Sequence, residues 1–280
     1  MNYLESILLG LVQGITEFLP VSSSGHLAIV QFLLGHGVGN ANLFFDVMLH
    51  LGTFFAVVLC FWKDVWGVIK EFFLCIGDLF HGKFSWKDAS PYRRMMILII
   101  ASTVFLFLVL PFTDLAEGLT TNMFVVGACL ILTGVLLLLS DKKAPKAKRG
   151  ADEAKLSDAA GIGLVQACTA VLPGLSRSGS TISTALFLGL DREYAVSFSF
   201  ILSLPAICGA VFLETLDAVK EGITFDPSYL VGMFVAFFVG IGAIALVRWL
   251  VRSDRFGKFC WYCFAVGLFA VGLGLYRFVA

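Results

Sequence analysis

Charge is scarce in this chain. Only 14% of its 280 residues are Asp, Glu, Lys or Arg, against 59% hydrophobic. A soluble domain of this length needs far more polar surface, which excludes that class. The hydrophobic residues come in long runs, so the membrane protein they define is helical and not a β-barrel. Net charge is zero, and nucleic acid is not an expected partner. The N-terminus lacks the charged region and small-residue cleavage site of a signal peptide, so no removable segment is expected. The seven cysteines are odd in number and scattered through apolar stretches. Cys260-Trp-Tyr-Cys263 has redox spacing, yet it sits in a continuous hydrophobic helix with no strand beside it. Small apolar core residues are the better reading.

What the chain does have is one polar motif, used twice. Residues 10–25, GLVQGITEFLPVSSSG, return at 163–179 as GLVQACTAVLPGLSRSG. Each copy opens on Gly-Leu-Val-Gln, carries Thr three residues after the Gln, reaches Leu-Pro and ends in Ser-x-Ser-Gly. The second runs one residue longer before its final Ser-Gly. The copies differ where chemistry would differ: the first holds Glu17 and His26, the second Arg177. An acid, an imidazole and a guanidinium on two related broken segments mark a site at an internal symmetry axis.

Six apolar runs are long enough to span a bilayer: 43–62, 94–112, 122–140, 194–213, 228–247 and 258–279. Two more stretches, 4–35 and 156–190, are interrupted by Pro-Val-Ser-Ser-Ser-Gly and Pro-Gly-Leu-Ser-Arg-Ser-Gly. Pro, Gly and hydroxyl residues break a helix there, so each stretch reads as a re-entrant helix–loop–helix hairpin. The shorter amphipathic segment 65–80 is expected along the interface. The register that aligns Gly10 with Gly163 also sets Leu49-His50-Leu51 against Leu202-Ser203-Leu204 and Phe45 against Phe198. The expected fold is therefore an all-α polytopic membrane protein with six transmembrane helices and two re-entrant hairpins. Residues 1–140 form one repeat, 156–280 the other, and 141–155 a basic cytoplasmic linker. Three spans per half is an odd number, so the second half enters inverted.

Basic residues support this independently. Lys63, Lys70, Lys83, Lys87, Arg93 and Arg94 fall between the first two spans, and Lys142, Lys143, Lys146, Lys148, Arg149 and Lys155 around the linker. Arg192 follows the second hairpin, and Arg248, Arg252, Arg255 and Lys258 fill the last loop. The inverted arrangement puts all of these on one side. The opposite loops, 113–121 and 214–227, carry Lys220 against Asp114, Glu117, Glu214, Asp217, Glu221 and Asp226. The basic side is cytoplasmic by the positive-inside rule, so both termini and the first hairpin face outward.

Glu17, His26 and Arg177 are isolated ionisable groups within apolar stretches, and such groups are costly unless functional. Ser22-Ser23-Ser24-Gly25 and Ser176-Arg177-Ser178-Gly179-Ser180-Thr181 each lead into an apolar helix. Such starts offer free N–H groups and a positive dipole end, and Arg adds a bidentate donor suited to phosphate. Two of them meeting near the midplane would hold a diphosphate. Glu17 and His26 add acid–base capacity, with Ser23 or His26 as the attacking group. A carboxylate beside a diphosphate also recruits Mg²⁺. Asp46 and His50 share a face of the first span; they either extend or gate the site or, on the simpler reading, form a mutually satisfied buried pair. The small-residue stretch 267–274 suits packing against a partner, as in a homodimer, or within the bundle.

QGITEFLPVSSSGHL (residues 13–27) and LPGLSRSGSTIS (residues 172–183) closely resemble the two signature motifs of undecaprenyl-diphosphate phosphatases, the bacitracin-resistance membrane enzymes of bacteria. The resemblance covers essentially the whole chain. It implies hydrolysis of a polyprenyl diphosphate lipid to its monophosphate and inorganic phosphate, in the bacterial plasma (inner) membrane. It implies that Glu17, His26 and Arg177 are essential, with Ser23, Ser24, Ser176, Ser178 and Thr181 supporting. It also implies Mg²⁺ or another divalent cation at Glu17 and a site opening to the outer face. Many members carry Glu where this chain has Gln13, which leaves Glu17 as the one acid of its motif. Ser22 and Gln13 complete the expected substrate contacts. The competing class is a carrier, since inverted repeats with broken helices also build transporters and flippases.

Overall fold

The structure is a computed structural model that describes all residues except 1, 36–42, 87, 144–145, 221–225, 254 and 280. Lys87 and Glu221 from the charge pattern fall outside the described residues. Twelve α-helices carry the described chain: α1 (Tyr3–Thr16), α2 (Ser23–Leu33), α3 (Leu43–Cys60), α4 (Trp62–Phe80), α5 (Pro91–Val104), α6 (Thr113–Thr120), α7 (Met123–Lys143), α8 (Leu156–Val171), α9 (Arg177–Phe187), α10 (Arg192–Lys220), α11 (Ser228–Arg252) and α12 (Phe259–Val279). An isolated bridge between Arg149 and Leu190 is the extended pairing seen among them.

Five helical segments are long and apolar enough to cross a membrane: 91–116, 123–142, 192–216, 228–252 and 256–276. A sixth is reached if α3 and α4 count as one broken span, although they meet at 89°. Five of the six expected spans therefore coincide with such segments, and the first, 43–62, falls on α3, which counts as a span only together with α4. The bend at Phe61 also separates the amphipathic segment from the first span, as its polar face requires. Residues 105–112 continue α5 as short 3-10 turns, and α6 occupies most of what the sequence suggested was a plain loop.

Local chemistry explains the ends. Asn2 and Glu5 form a capping box on α1, and Ser90 caps α5 ahead of Pro91. Gly35 and Gly189 take left-handed backbone just past α2 and α9.

Each of the two broken hairpins leans on a helix from the other part of the chain. α1 packs along α11, and α8 packs along α5. α3 meets α10, and α7 meets α12. These pairings bring the turn between α1 and α2 against the turn between α8 and α9. The α7–α12 contact depends on glycine, because the backbones touch. A Cβ on Gly127 would stand 2.6 Å from the Gly267 carbonyl oxygen, and one on Gly267 would stand 2.8 Å from that of Gly127. With no water to expel between helices in lipid, such close van der Waals approach is what holds them.

Gly127→Val is therefore expected to force α7 from α12 at a cost of about 1–3 kcal/mol. A thermal unfolding series in detergent should show a lowered midpoint. Gly272→Ala, where the added methyl meets open space, should leave it unchanged.

Candidate active site

The two polar turns repeat one device. Ser22 caps α2, its Oγ accepting from the Gly25 N–H at 3.3 Å. Ser176 caps α9, its Oγ accepting from the Gly179 N–H at 3.1 Å. In each copy the cap hydroxyl also meets the hydroxyl two residues on, Ser24 at 3.2 Å and Ser178 at 3.3 Å. His26 N–H and Ser180 N–H bond back to the cap carbonyls. The first four N–H groups of a helix have no partner within it. Capping satisfies the third and the cap carbonyl the fourth, which leaves Ser23 and Ser24 on α2, and Arg177 and Ser178 on α9, to face a ligand.

The turns interlock. Ser178 Oγ donates to the Leu19 carbonyl at 3.2 Å, and Gly174 N–H reaches Ser24 Oγ at 3.5 Å. Gly174 has φ +90°, and its Cα lies against Val126, so both the backbone angle and the space demand glycine. Ser22 is the one described non-glycine residue with positive φ, 71°. That conformation costs about 1–3 kcal/mol and is characteristic of functional turns.

At the centre lies Glu17, which ends α1 and is only 6% exposed. Its Oε2 accepts from Ser23 Oγ at 2.7 Å and from Gln13 Nε2 at 3.0 Å. Its Oε1 is ion-paired with Arg177 Nη2. Ser23 and Arg177 occupy the same position, the first residue of the helix, in the two copies. One carboxylate is thus gripped by both helix starts. His50, on α3, lies within range of the Glu17 charge.

Gln13, Ser23, Glu17 and Arg177 are therefore brought together, with Ser22 and Ser24 beside them. His26 is one step removed. Its Nδ1 lies 2.8 Å from the Ser22 carbonyl oxygen, and its Nε2 2.8 Å from Tyr262 Oη on α12. Thr181 is buried and tied to the Arg177 carbonyl and Ser199 Oγ, so it supports α9 from behind. Ser176 and Ser178 are occupied as cap and turn-to-turn clasp. Asp46 and His50 do not satisfy each other through their side chains. The imidazole bonds the Asp46 backbone carbonyl at 2.8 Å, and the carboxylate Oδ1 is buried without a partner.

Three residues to which the sequence assigned no role at the site hold the turns. Thr133 on α7 accepts from the Ser176 N–H at 3.0 Å and is fully buried. Cys263 Sγ reaches the Pro20 carbonyl at 3.4 Å. Tyr262 meets His26. Their signals were a lone Thr in a Leu-rich run and the last two residues of the Cys-x-x-Cys segment, neither of which specifies a distant partner. Cys260 and Cys263 are buried free thiols, in keeping with a core role.

Chemically, Ser23 and Glu17 form a hydroxyl–carboxylate pair at hydrogen-bonding distance, with a guanidinium and open N–H groups alongside. Fold and site together define an all-helical, multi-pass membrane protein whose polar centre lies between two broken-helix turns. The chain belongs to the family of the bacitracin resistance protein BacA, whose model matches residues 6–269. It is 39% identical over 270 residues to the undecaprenyl-diphosphatase of Alkaliphilus metalliredigens, covering 95% of this chain and 97% of that one. The undecaprenyl-diphosphatase of Desulfosudis oleivorans is 39% identical over 277 residues, 98% of this chain and 100% of its own. That of Korarchaeum cryptofilum is 37% identical over 274 residues, with the same coverage.

Thr133→Val should leave the Ser176 N–H buried and unpaired, at about 1–3 kcal/mol. The unfolding midpoint in detergent should fall. Protection of the Ser176 amide in hydrogen exchange should be lost before that of α7.

Proposed function

We propose that this protein hydrolyses undecaprenyl diphosphate to undecaprenyl phosphate and inorganic phosphate, and that the carboxylate shared by the two turns is its reaction centre. The observation that carries the proposal is Glu17, bonded at once to Ser23 and Arg177. The family and the names of its relatives agree with it.

Arg177 exchanges Glu17 for the incoming diphosphate, where its planar donors match phosphate oxygens. The N–H groups of Ser23, Ser24, Arg177 and Ser178 receive the remaining charge. Glu17, relieved of its cation, takes the proton of Ser23, and Ser23 Oγ attacks the terminal phosphorus. The bridging P–O bond breaks, and the proton held by Glu17 passes to the departing polyprenyl phosphate. Water then attacks the phosphoserine, with His26 as the second acid–base group, and inorganic phosphate leaves as Ser23 regains its proton. Gln13 orients Glu17. Ser22, Ser176 and Thr181 keep the two helix starts in shape, and Ser178 and Ser24 clasp them together.

Mg²⁺ or a similar divalent ion fits beside Glu17. The orphaned Gln13 Oε1 is a ready oxygen ligand there. Among the described residues no three His, Cys, Asp or Glu cluster, so most ligands would be phosphate oxygens and water. Bound there, the ion would neutralise charge on the diphosphate.

The pairing of each hairpin with a helix from the other half supports an inverted repeat of residues 1–140 and 156–280, joined by the linker 141–155. Each half then contributes one re-entrant hairpin and three spans. Positive-inside bias supports both termini and the site opening on the outer face of the plasma membrane, with the polyprenyl tail leaving laterally between spans.

Detergent micelles have no sides, so they separate an enzyme from a carrier. Purified protein with Mg²⁺ should release phosphate from a polyprenyl diphosphate in micelles. No release there, together with protein-dependent lipid movement in liposomes, would mean a carrier. Arg177→Ala should lower turnover by on the order of 10³-fold, and Gln13→Ala by about tenfold. Equal losses would give Gln13 a larger part than orienting Glu17.

A further inference from the structure

We propose that Tyr262, on α12, is a positioning residue that fixes the ring of His26 and holds its Nε2 as the proton-accepting atom. The proposal rests on the phosphatase reading above, in which His26 acts during hydrolysis of the phosphoserine.

Two contacts determine the state of the imidazole. A carbonyl oxygen only accepts, so His26 Nδ1, 2.8 Å from the Ser22 carbonyl, carries a proton. In the neutral ring Nε2 is then a lone pair, and the Tyr262 hydroxyl 2.8 Å away donates to it. The two rings lie parallel, 4° apart in plane with centroids at 5.6 Å, so stacking and hydrogen bond restrain the same rotation. The left-handed Ser22 backbone supplies the carbonyl on one side of His26, and α12 supplies the hydroxyl on the other.

The partner on α12 is itself anchored. Cys263, the next residue, is fully buried and reaches the Pro20 carbonyl in the first turn. α12 is also held against α7 by the Gly127–Gly267 contact. Tyr262 therefore approaches His26 from a helix pinned to the same turn, whereas its ring is half exposed at the edge of the site.

A hydroxyl suits this position because it donates and accepts. For Nε2 to take a proton from the attacking water, the tyrosine O–H first turns to another acceptor and frees the lone pair; the new N–H then donates to Oη. No covalent bond of Tyr262 changes. His26 stays hydrogen-bonded in both protonation states at a place with little water, which phenylalanine could not provide.

The test uses full-length protein in detergent with a polyprenyl diphosphate, together with ¹⁵N NMR of histidine-labelled protein. Tyr262→Phe should lower kcat about tenfold, leave KM within about twofold and keep the unfolding midpoint. The Nε2 resonance of His26 should move on loss of its donor while Nδ1 remains protonated. Wild-type kcat in Tyr262→Phe, with only Tyr262→Ala impaired, would reduce the residue to a space-filling ring and overturn the proposal. An unmoved Nε2 resonance would overturn it equally. Absence of phosphate release from the wild type would instead count against the phosphatase reading, and the ¹⁵N measurement would still decide whether Tyr262 holds His26.

Discussion

A carboxylate buried in a membrane protein cannot be left alone, and the two polar turns are arranged around that fact. Glu17 is almost wholly shielded, and its partners come from three directions: Gln13 one helical turn back, Ser23 across the first break and Arg177 from the second hairpin. Removing one member of a buried ion pair typically costs about 3–5 kcal/mol, because the survivor keeps its charge without its solvent. The hairpins must therefore arrive in register. The features around them serve this approach: Gly25 against Gly174, Gly179 against Pro20, and the Ser178 hydroxyl on the Leu19 carbonyl. The strained angle at Ser22 is tolerated because the surrounding contacts over-determine it.

The same constraint links substrate to reactivity. In the mechanism proposed above, a diphosphate competes with Glu17 for Arg177, and it wins by carrying more charge and more acceptor oxygens. Glu17 then loses the cation that held it as a spectator, while its bond to Ser23 is untouched. In that mechanism the change frees the carboxylate to take the Ser23 proton at the moment an anion is bound. Without substrate Glu17 stays paired with Arg177. His50, within range of Glu17, and Asp46 one turn before it, with its Oδ1 unpartnered, extend this polar network toward the start of α3.

Much of the helical layout was legible in the sequence because burial in lipid leaves a one-dimensional record: long apolar runs and two interruptions rich in Pro, Ser and Gly. The breaks were legible because Ser, Gly and Pro act locally. What escaped was decided by distant packing. The right-angle bend at Phe61 has neither Gly nor Pro beside it, and only the change from apolar α3 to amphipathic α4 hinted at it. α6 formed where acidic residues had suggested a loop. Thr133, Cys263 and Tyr262 each act on a turn far away in sequence, and no local pattern encodes such a partner. Asp46 and His50 misled for the opposite reason. The i, i+4 spacing does bring them together, but the imidazole takes the backbone carbonyl and leaves the carboxylate.

The repeat also shows why its copies had to diverge. Their hydrogen bonding still matches, with the same Ser cap, the same Gly three residues on and the same hydroxyl contact between, although Ser22 has φ 71° where Ser176 has −66°. Identical side chains would have brought like charges together at the meeting point, and a second buried acid or a second guanidinium repels. Position 17 is Glu in one copy, and its counterpart, position 170, is Ala. Ser23 faces Arg177 at the matching helix starts. One acid can then satisfy both. Gln166 retains the mark of that change: it corresponds to Gln13, yet both of its amide atoms are buried without a partner, since Ala170 offers nothing to bond. Symmetry supplies two helix starts able to hold an anion. The departure from symmetry supplies the charge pair that joins them and, in the reading proposed above, the base that acts between them.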